Sequence, residues 1–343
     1  MKKATIYDVA ERAGVAPSTV SRAFKVPGRV NEATRRRILE AADELAYSPS
    51  PQTGPLPAGR HRTIAMVLAD ITNPHFFELI RGAEQRAKAA RHTLVLVNAE
   101  ESPRIELEQI EGLAPTVDGF VLASSRLTDQ DLRDLAERHP VVLLNRELEG
   151  LSSVTLDTSS GCRQILEHLA SLGHHGFTYC AGPPSSWMGA TRWSALRSGA
   201  EAYGLTARRV GPYAPTVAAG GAAADAALRG DTTALVAHND LLGFGIMRRL
   251  ASRGVRVPED VSVVGFDNIF AADLVQPTLT TLGGPNADAG RRAVEMLLAS
   301  LDRRSPATHD LGALPGDRVL LPTELVLRQS SGPAVDRPTS STG

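Results

Sequence analysis

Ser18 and Arg22 stand four residues apart in a stretch, Pro17 to Phe24, whose other face carries Val20 and Phe24 at the same spacing. Four residues is about one helical turn, so Val20 and Phe24 can pack inward while Ser18 and Arg22 share a free face. A guanidinium on such a face can bond the edge of guanine in the major groove, and the short hydroxyls of Ser18, Thr19 and Ser21 can reach bases or phosphates. A second group, Asp70, Asn145, Asn239 and Asp267, is scattered through the chain, yet each member closes an apolar run of strand length. Carboxylates and carboxamides so placed offer acceptors and donors to a small polar molecule.

The first group needs a small helical scaffold. Thr5 can cap a helix in capping-box fashion with Asp8, which puts Ile6, Val9, Ala10 and Ala13 on one face. Gly14 supplies the backbone freedom for a tight turn, Val15 plugs the space between helices, and Pro17 suits the first turn of a second helix. This is helix-turn-helix spacing. A third helix is expected from near Asn31 through Ile38 and Leu45 to Tyr47.

The second group needs a parallel sheet. From Arg62 onward, strand-length runs (TIAMVLAD, LVLVNAE, GFVLASS, VVLLNRE, FTYCAGP, ALVAHND, VSVVGFD) alternate with amphipathic stretches, as in a doubly wound α/β fold. In open sheets of this kind, ligands sit beyond the carboxyl ends of the strands, where these polar residues fall.

Composition narrows the partners. The chain has 343 residues, 42% hydrophobic and 22% charged, enough for two or three domains with a sizeable core. Its net charge of -1 conceals an asymmetry, because the first 62 residues hold eleven basic and six acidic side chains, a formal +5 that leaves -6 for the rest. A basic module on a mildly acidic body implies a polyanion partner for the module. No run of about 18 apolar residues occurs and the N-terminus lacks a signal-peptide pattern, so a cytoplasmic protein with no membrane partner is expected. Cys162 and Cys180 form no CxxC pair and are read as buried or inert. His174 and His175 are adjacent, point apart and have no carboxylate at ligand spacing, so no metal and no cofactor is expected. The sequence carries no GxSxG, GxxxxGK[ST] or HExxH motif. Nothing in it calls for an enzyme.

TIYDVAERAGVAPSTVSRAF, followed by VNEATRRRI and LAYSP, resembles the headpiece of the LacI/GalR (lactose-repressor) family of transcriptional regulators. The resemblance implies base reading at Pro17, Ser18 and Arg22. It implies a wider DNA-contacting set that adds Thr5, Tyr7, Thr19, Ser21, Lys25, Arg29, Thr34 and Leu56. Ala16 departs from the usual Ser cap. The likeness continues through DITNPHFF, VDGFVL, LGHH, AHND, VPEDVSVVGFDN, PTLTT and LVLRQS. It implies a periplasmic-binding-protein-like (type I) body of two lobes joined by three crossovers, with effector in the cleft. One lobe is expected from residues 63 to 156 plus about 285 to 310, the other from 157 to 284 plus the last strand.

The resulting organisation is a headpiece at 1–48, a Pro-rich hinge at 49–62, the effector-binding and dimerisation domain at 63–329, and a disordered tail at 330–343. With no leucine heptad in that tail, a homodimer on palindromic operator DNA is the expected assembly. On the resemblance, the effector contacts are Asp70, Phe76, Phe77, Asn145, Arg192, Tyr213, Asn239 and Asp267, with Trp187 in an uncertain register. Ala123 and Gly284 stand where relatives often carry polar residues. A carbohydrate is the leading effector of a repressor of this type and a nucleobase the runner-up; a solute-binding protein or an enzyme with an appended DNA-binding domain are alternatives from other classes. Relatives form a short hinge helix that drives a leucine into the minor groove, and Leu56 occupies that place. Pro55 and Gly54 would cost such a helix about 3 and nearly 1 kcal/mol, so an irregular linker from Pro49 to Pro57 is expected.

Overall fold

The computed structural model describes residues 5–25, 30–45, 47, 61–303 and 316–335. The chain divides into two compact units, residues 1–60 and 61–343. In the first, helices α1 (Ile6–Ala13), α2 (Pro17–Lys25) and α3 (Glu32–Glu44) enclose a core of Val9, Ala10, Ala13, Val20, Ala23, Ile38, Ala41 and Ala42. Thr5 and Asp8 form the reciprocal capping box, and Gly14 closes α1 in the left-handed conformation at φ 62°. Asn31 caps α3 through the Ala33 N–H at 2.9 Å. Tyr47 lies beyond α3 and packs its ring against Phe24, 6.2 Å between centroids. Residues 49–60 of the expected hinge, Leu56 among them, lie outside the described residues, as does Arg29.

The second unit holds two sheets. The chain runs β1 (Thr63–Leu68), α4 (His75–Ala89), β2 (Thr93–Asn98), α5 (Pro103–Leu113), β3 (Phe120–Ala123), α6 (Asp129–Arg138), β4 (Val141–Leu144) and β5 (Ser152–Leu156). It crosses over and repeats the pattern with α7 (Thr158–Ser171), β6 (Gly176–Cys180), α8 (Trp187–Ala200), β7 (Thr206–Val210), α9 (Gly220–Ala227), β8 (Ala234–Ala237), α10 (Asp240–Ser252), β9 (Ser262–Phe266) and β10 (Thr280–Gly283). It then returns for α11 (Asn286–Arg303) and β11 (Arg318–Leu321), and crosses last to β12 (Glu324–Val326). The orders are β11-β5-β4-β3-β1-β2 and β12-β10-β9-β8-β6-β7. Every pairing is parallel except that of β10 with β12. Apolar side chains fill both faces of each sheet, which is why the strands read as nearly continuous hydrophobic runs.

The last strand, β12, joins the second sheet, and β11, which neither expected lobe included, pairs with β5 in the first. One expectation needs correction. Disorder was expected from residue 330, but 330–335 are pinned to the second lobe. Ser330 is buried, its N–H donates to the Thr278 carbonyl at 2.9 Å, its carbonyl accepts from Val263 N at 2.7 Å, and Ala334 N reaches Leu172 O at 2.8 Å. The short hydroxyl and backbone groups of this Ser-rich stretch complete the hydrogen bonding of β9 instead of facing water. Residues 336–343 are outside the described set.

Helix α11 lies against α4 with backbones nearly touching. A Cβ at Gly82 would stand 1.8 Å from the Ala287 carbonyl oxygen, and one at Gly290 2.0 Å from that of Leu79. Neither can be accommodated without parting the helices. Gly82→Ala is therefore expected to destabilise the body by about 1–3 kcal/mol, the usual cost of overpacking, as a lowered denaturant midpoint in the full chain; an unchanged midpoint refutes the close approach.

Candidate DNA-reading face and ligand cleft

In the headpiece, Val20 and Ala23 turn inward and Ser18 and Arg22 are exposed on α2, with Pro17, Thr19 and Ser21 half-buried beside them. Tyr7 is exposed, Thr34 is half-buried in the first turn of α3, and Thr5 caps α1. Ala16 offers α2 only its carbonyl, which accepts from Thr19 N at 2.8 Å, so the side-chain cap is indeed missing. Of the basic run 35–37, Arg37 is spent internally: its guanidinium donates to the Ala13 carbonyl at 2.6 Å, sealing the end of α1 beside the turn.

In the body, one cavity of about 420 Å³ lies where strand ends of both lobes converge. Asn73 follows β1, Glu101 follows β2, Ser124 and Arg126 follow β3, and Asn145 follows β4. From the other lobe, Met188 lies in the segment after β6, Pro215 after β7, His238 and Asn239 after β8, and Asp267 after β9. Parallel strands dictate this convergence, since all their carboxyl ends lie at one edge. Glu101, Ser124, Asn145 and Asp267 adopt left-handed backbone, at φ 58°, 57°, 58° and 104°, a sparsely populated conformation that concentrates at functional sites. A second cavity of about 290 Å³ is lined by Leu156, Thr158, Gly283, Gly284 and Thr323, residues of the three crossovers. His75, Met188, Arg192 and Asp267 wall both.

The cleft's charges are paired. Arg126 grips Glu101 bidentately at 2.7 and 3.0 Å. Arg192 donates to the His238 carbonyl at 2.5 Å and to Asp267 Oδ1 at 2.9 Å, and its guanidinium carbon lies 4.4 Å from the Phe266 ring centroid. Burial holds His75 and His238 below the ordinary imidazole pKa; the Arg192 charge pushes in the same direction on both, and Asp267 opposes it at His75. Several buried polar atoms nevertheless lack a protein partner: His75 Nδ1, Asn145 Oδ1 and Arg192 Nε, with Asn286 Oδ1 beside the second cavity. Buried orphans of this kind are costly, and a bound molecule with hydroxyls would satisfy them.

Residues 5–50 match the family of bacterial regulatory proteins named lacI, and residues 166–331 match a periplasmic binding protein-like domain. The HTH-type transcriptional repressor CytR of Escherichia coli (strain K12) is 32% identical over 350 residues, 96% of each chain. The chain belongs to the lacI family. Among solved structures, a lac repressor dimer bound to operator and the anti-inducer ONPF superposes with TM-score 0.82 at 26% identity, covering 96% of this chain and all of that one. The regulator CelR in complex with cellobiose gives 0.70 at 28% identity, again with 96% and 100% coverage.

In this lacI-family chain the cleft gathers Phe76, Asn145, Arg192, Asn239 and Asp267 of the eight expected effector residues. Asn239 is already committed, its Oδ1 capping α10 through Leu242 N and its Nδ2 donating to Pro215 O. Asp70 does not line the cavity: its carboxylate closes a turn on Thr72 N and Oγ1, and Asn73 takes the wall. Phe77, 48% exposed, faces away because consecutive residues on a helix diverge. Tyr213 packs against the apolar layer of the second lobe, and Trp187 is replaced at the wall by Met188. Sequence reasoning missed His75, Glu101, Ser124, Arg126, Ser186 and His238. DITNPHFF does mark His75, since it opens the helix at a strand's end, whereas Glu101–Arg126 joins two loops 25 residues apart. His174 is occupied structurally, by the hydroxyls of Thr233 and Ser262. Cys162 and Cys180 are buried, with pKa values pushed up to about 12.

A histidine held neutral by burial contributes stability that is complete above the unfolded pKa of about 6.5 and is lost as pH falls toward its lower folded value. Between about pH 7 and about pH 5 the wild-type chain should therefore lose more thermal stability than His238→Gln, which cannot titrate there. Parallel melting curves for the two across that range would contradict the burial assignment.

Proposed function

We propose that this regulator is a repressor that binds palindromic operator DNA as a homodimer and is controlled by an uncharged, hydroxyl-rich effector, a carbohydrate, held in the cleft between its lobes. DNA is read by Arg22 and Ser18 on α2, with Pro17, Thr19 and Ser21 beside them. Thr5, Tyr7, Lys25, Arg29, Thr34 and Leu56 complete the contact set. On this reading the protein works in the cytoplasm, where operator DNA is. Among the described residues no helix is long and apolar enough to cross a membrane. The observation that carries the effector reading is the set of orphaned buried donors and acceptors around an otherwise charge-paired cavity. The likeness to a cellobiose-bound relative supports it. A nucleobase is the second reading, favoured by Phe76 at the wall. That ring already meets His75 edge-on, with centroids 5.2 Å apart, and no second Phe, Tyr or Trp among the described residues lines the larger cavity, which leaves little platform for stacking. A ligand touching both lobes favours the arrangement in which they close on it, and that population shift alters how the headpieces are presented to DNA.

Arg22→Ala is expected to lose about 1–3 kcal/mol of discrimination per half-site while its residual binding stays steeply salt-dependent. Fluorescence anisotropy against operator and scrambled duplexes measures both; undiminished preference for operator removes Arg22 as the reader.

For the cleft, a thermal-shift panel of sugars and nucleobases should raise the wild-type melting temperature with a sugar. Asp267→Asn should abolish that shift and the accompanying change in operator affinity without weakening operator binding itself. A shift preserved in the variant, or one produced by nucleobases alone, would overturn the assignment.

A further inference from the structure

His75 opens α4 in the first lobe and Asp267 follows β9 in the second, both side chains are buried, and His75 Nδ1 stands 3.7 Å from Asp267 Oδ1. That gap is too long for a hydrogen bond. The other imidazole nitrogen, Nε2, accepts from Asn145 Nδ2 at 3.2 Å, which places the proton of the neutral ring on Nδ1. The fold thus holds a buried N–H with nothing to donate to, next to a carboxylate from the opposite lobe. Beside it, Asn145 Oδ1 is a buried acceptor that lacks a donor. One oxygen can stand about 2.8 Å from both His75 Nδ1 and an Asp267 oxygen at this separation. A hydroxyl suits the place, because it accepts from the imidazole and donates to the carboxylate. The guanidiniums at the cavity wall, Arg126 and Arg192, are each already paired with a carboxylate, so a phosphorylated sugar would bring a charge that neither can neutralise.

Resting on the carbohydrate reading above, we propose that His75 is a specificity-determining residue: its Nδ1–H donates to a hydroxyl of an uncharged sugar, that hydroxyl donates to Asp267, and one ligand group thereby ties the lobes together. His75 and Asp267 wall both cavities, so this hydroxyl marks the junction between the polar chamber and the crossover chamber.

The test is titration calorimetry on the full chain with D-ribose, D-glucose, D-galactose, cellobiose and glucose 6-phosphate, using three variants of one position. His75→Asn puts a carboxamide nitrogen where Nδ1 stands, His75→Gln puts one where Nε2 stands, and His75→Phe removes both. A sugar that binds the wild type is expected to keep most of its affinity for His75→Asn and to bind His75→Gln and His75→Phe about tenfold more weakly, the worth of one buried hydrogen bond with its partner left unpaired. Glucose 6-phosphate should bind none of the four proteins. Wild-type operator affinity and unliganded melting show which variants are folded, and any one of His75→Gln and His75→Phe suffices for the comparison. Equal affinity of the wild type and either folded variant overturns the role of His75 while leaving the carbohydrate reading intact. Tighter binding of glucose 6-phosphate than of D-glucose overturns the uncharged-ligand inference. If no sugar binds the wild type, the carbohydrate reading fails and takes this one with it.

Discussion

The ligand cleft is organised around one guanidinium. Arg192 comes from α8, yet its two terminal nitrogens reach the ends of β8 and β9 through the His238 carbonyl and Asp267, and its flat face lies over Phe266. A buried ion pair contributes little net stability, since desolvation offsets most of the attraction. What it supplies here is position. Asp267 sits at φ 104°, a conformation few residues adopt, and the fork of Arg192 fixes the carboxylate that this backbone presents. Beneath it, Asp240 accepts from Ile269 N at 2.9 Å and Thr281 Oγ1 at 2.5 Å, and burial, followed by the charge of Asp267, pushes its pKa well up. The two neighbouring carboxyls are thus held in different environments, one facing the cavity and paired, the other locked into the sheet.

The opposite wall uses the same logic with other residues. Arg126 is clamped by Glu101, and its backbone N–H is held by buried Glu106 at 2.8 Å, so loops after β2 and β3 are tied to each other and to α5. With both walls braced internally, the unsatisfied atoms that remain in the cleft are few and specific, and they divide between donors and an acceptor. The headpiece shows a comparable economy: the residue that seals the end of α1 is an arginine from α3, which fixes the turn and with it the angle at which α2 leaves it.

How far the sequence revealed this depended on how local each signal was. Capping at Thr5, the left-handed turn at Gly14 and the α2 face were legible because each needs only three or four neighbouring residues. The seven apolar strands were legible because both faces of each sheet are covered. β5, reading SSVTL, and β7, reading TARRV, were missed: the first buries hydroxyls through hydrogen bonds, and the second is an edge strand that wears its charges outward. Strand-end reasoning named Asn145, Asn239 and Asp267, which line the cavity, but it also drew in Asp70, whose carboxylate turns back onto a threonine two residues on. Tyr213 was placed by resemblance alone, which says nothing about which layer a ring joins, and it packs against the apolar cluster of the second lobe. Pairs such as Glu101–Arg126 were out of reach, since neither residue's spacing points to the other.

The passage of α11 back to the first lobe also bears on how the protein comes off the ribosome. Residues 157–284 form the bulk of the second lobe as one uninterrupted segment, whereas the first lobe's core draws Ala289, Ala293, Val294, Leu297, Leu298 and Leu301 from α11. Strands β1 to β5 therefore emerge with one face covered only in part, by α4, and stay so while residues 157–284 are synthesised. The half of the body made first cannot be completed until β11 is made, just before β12 and the segment at Ser330 finish the second lobe. For that interval α4 waits, its glycine face open, for a partner helix encoded about 200 residues later.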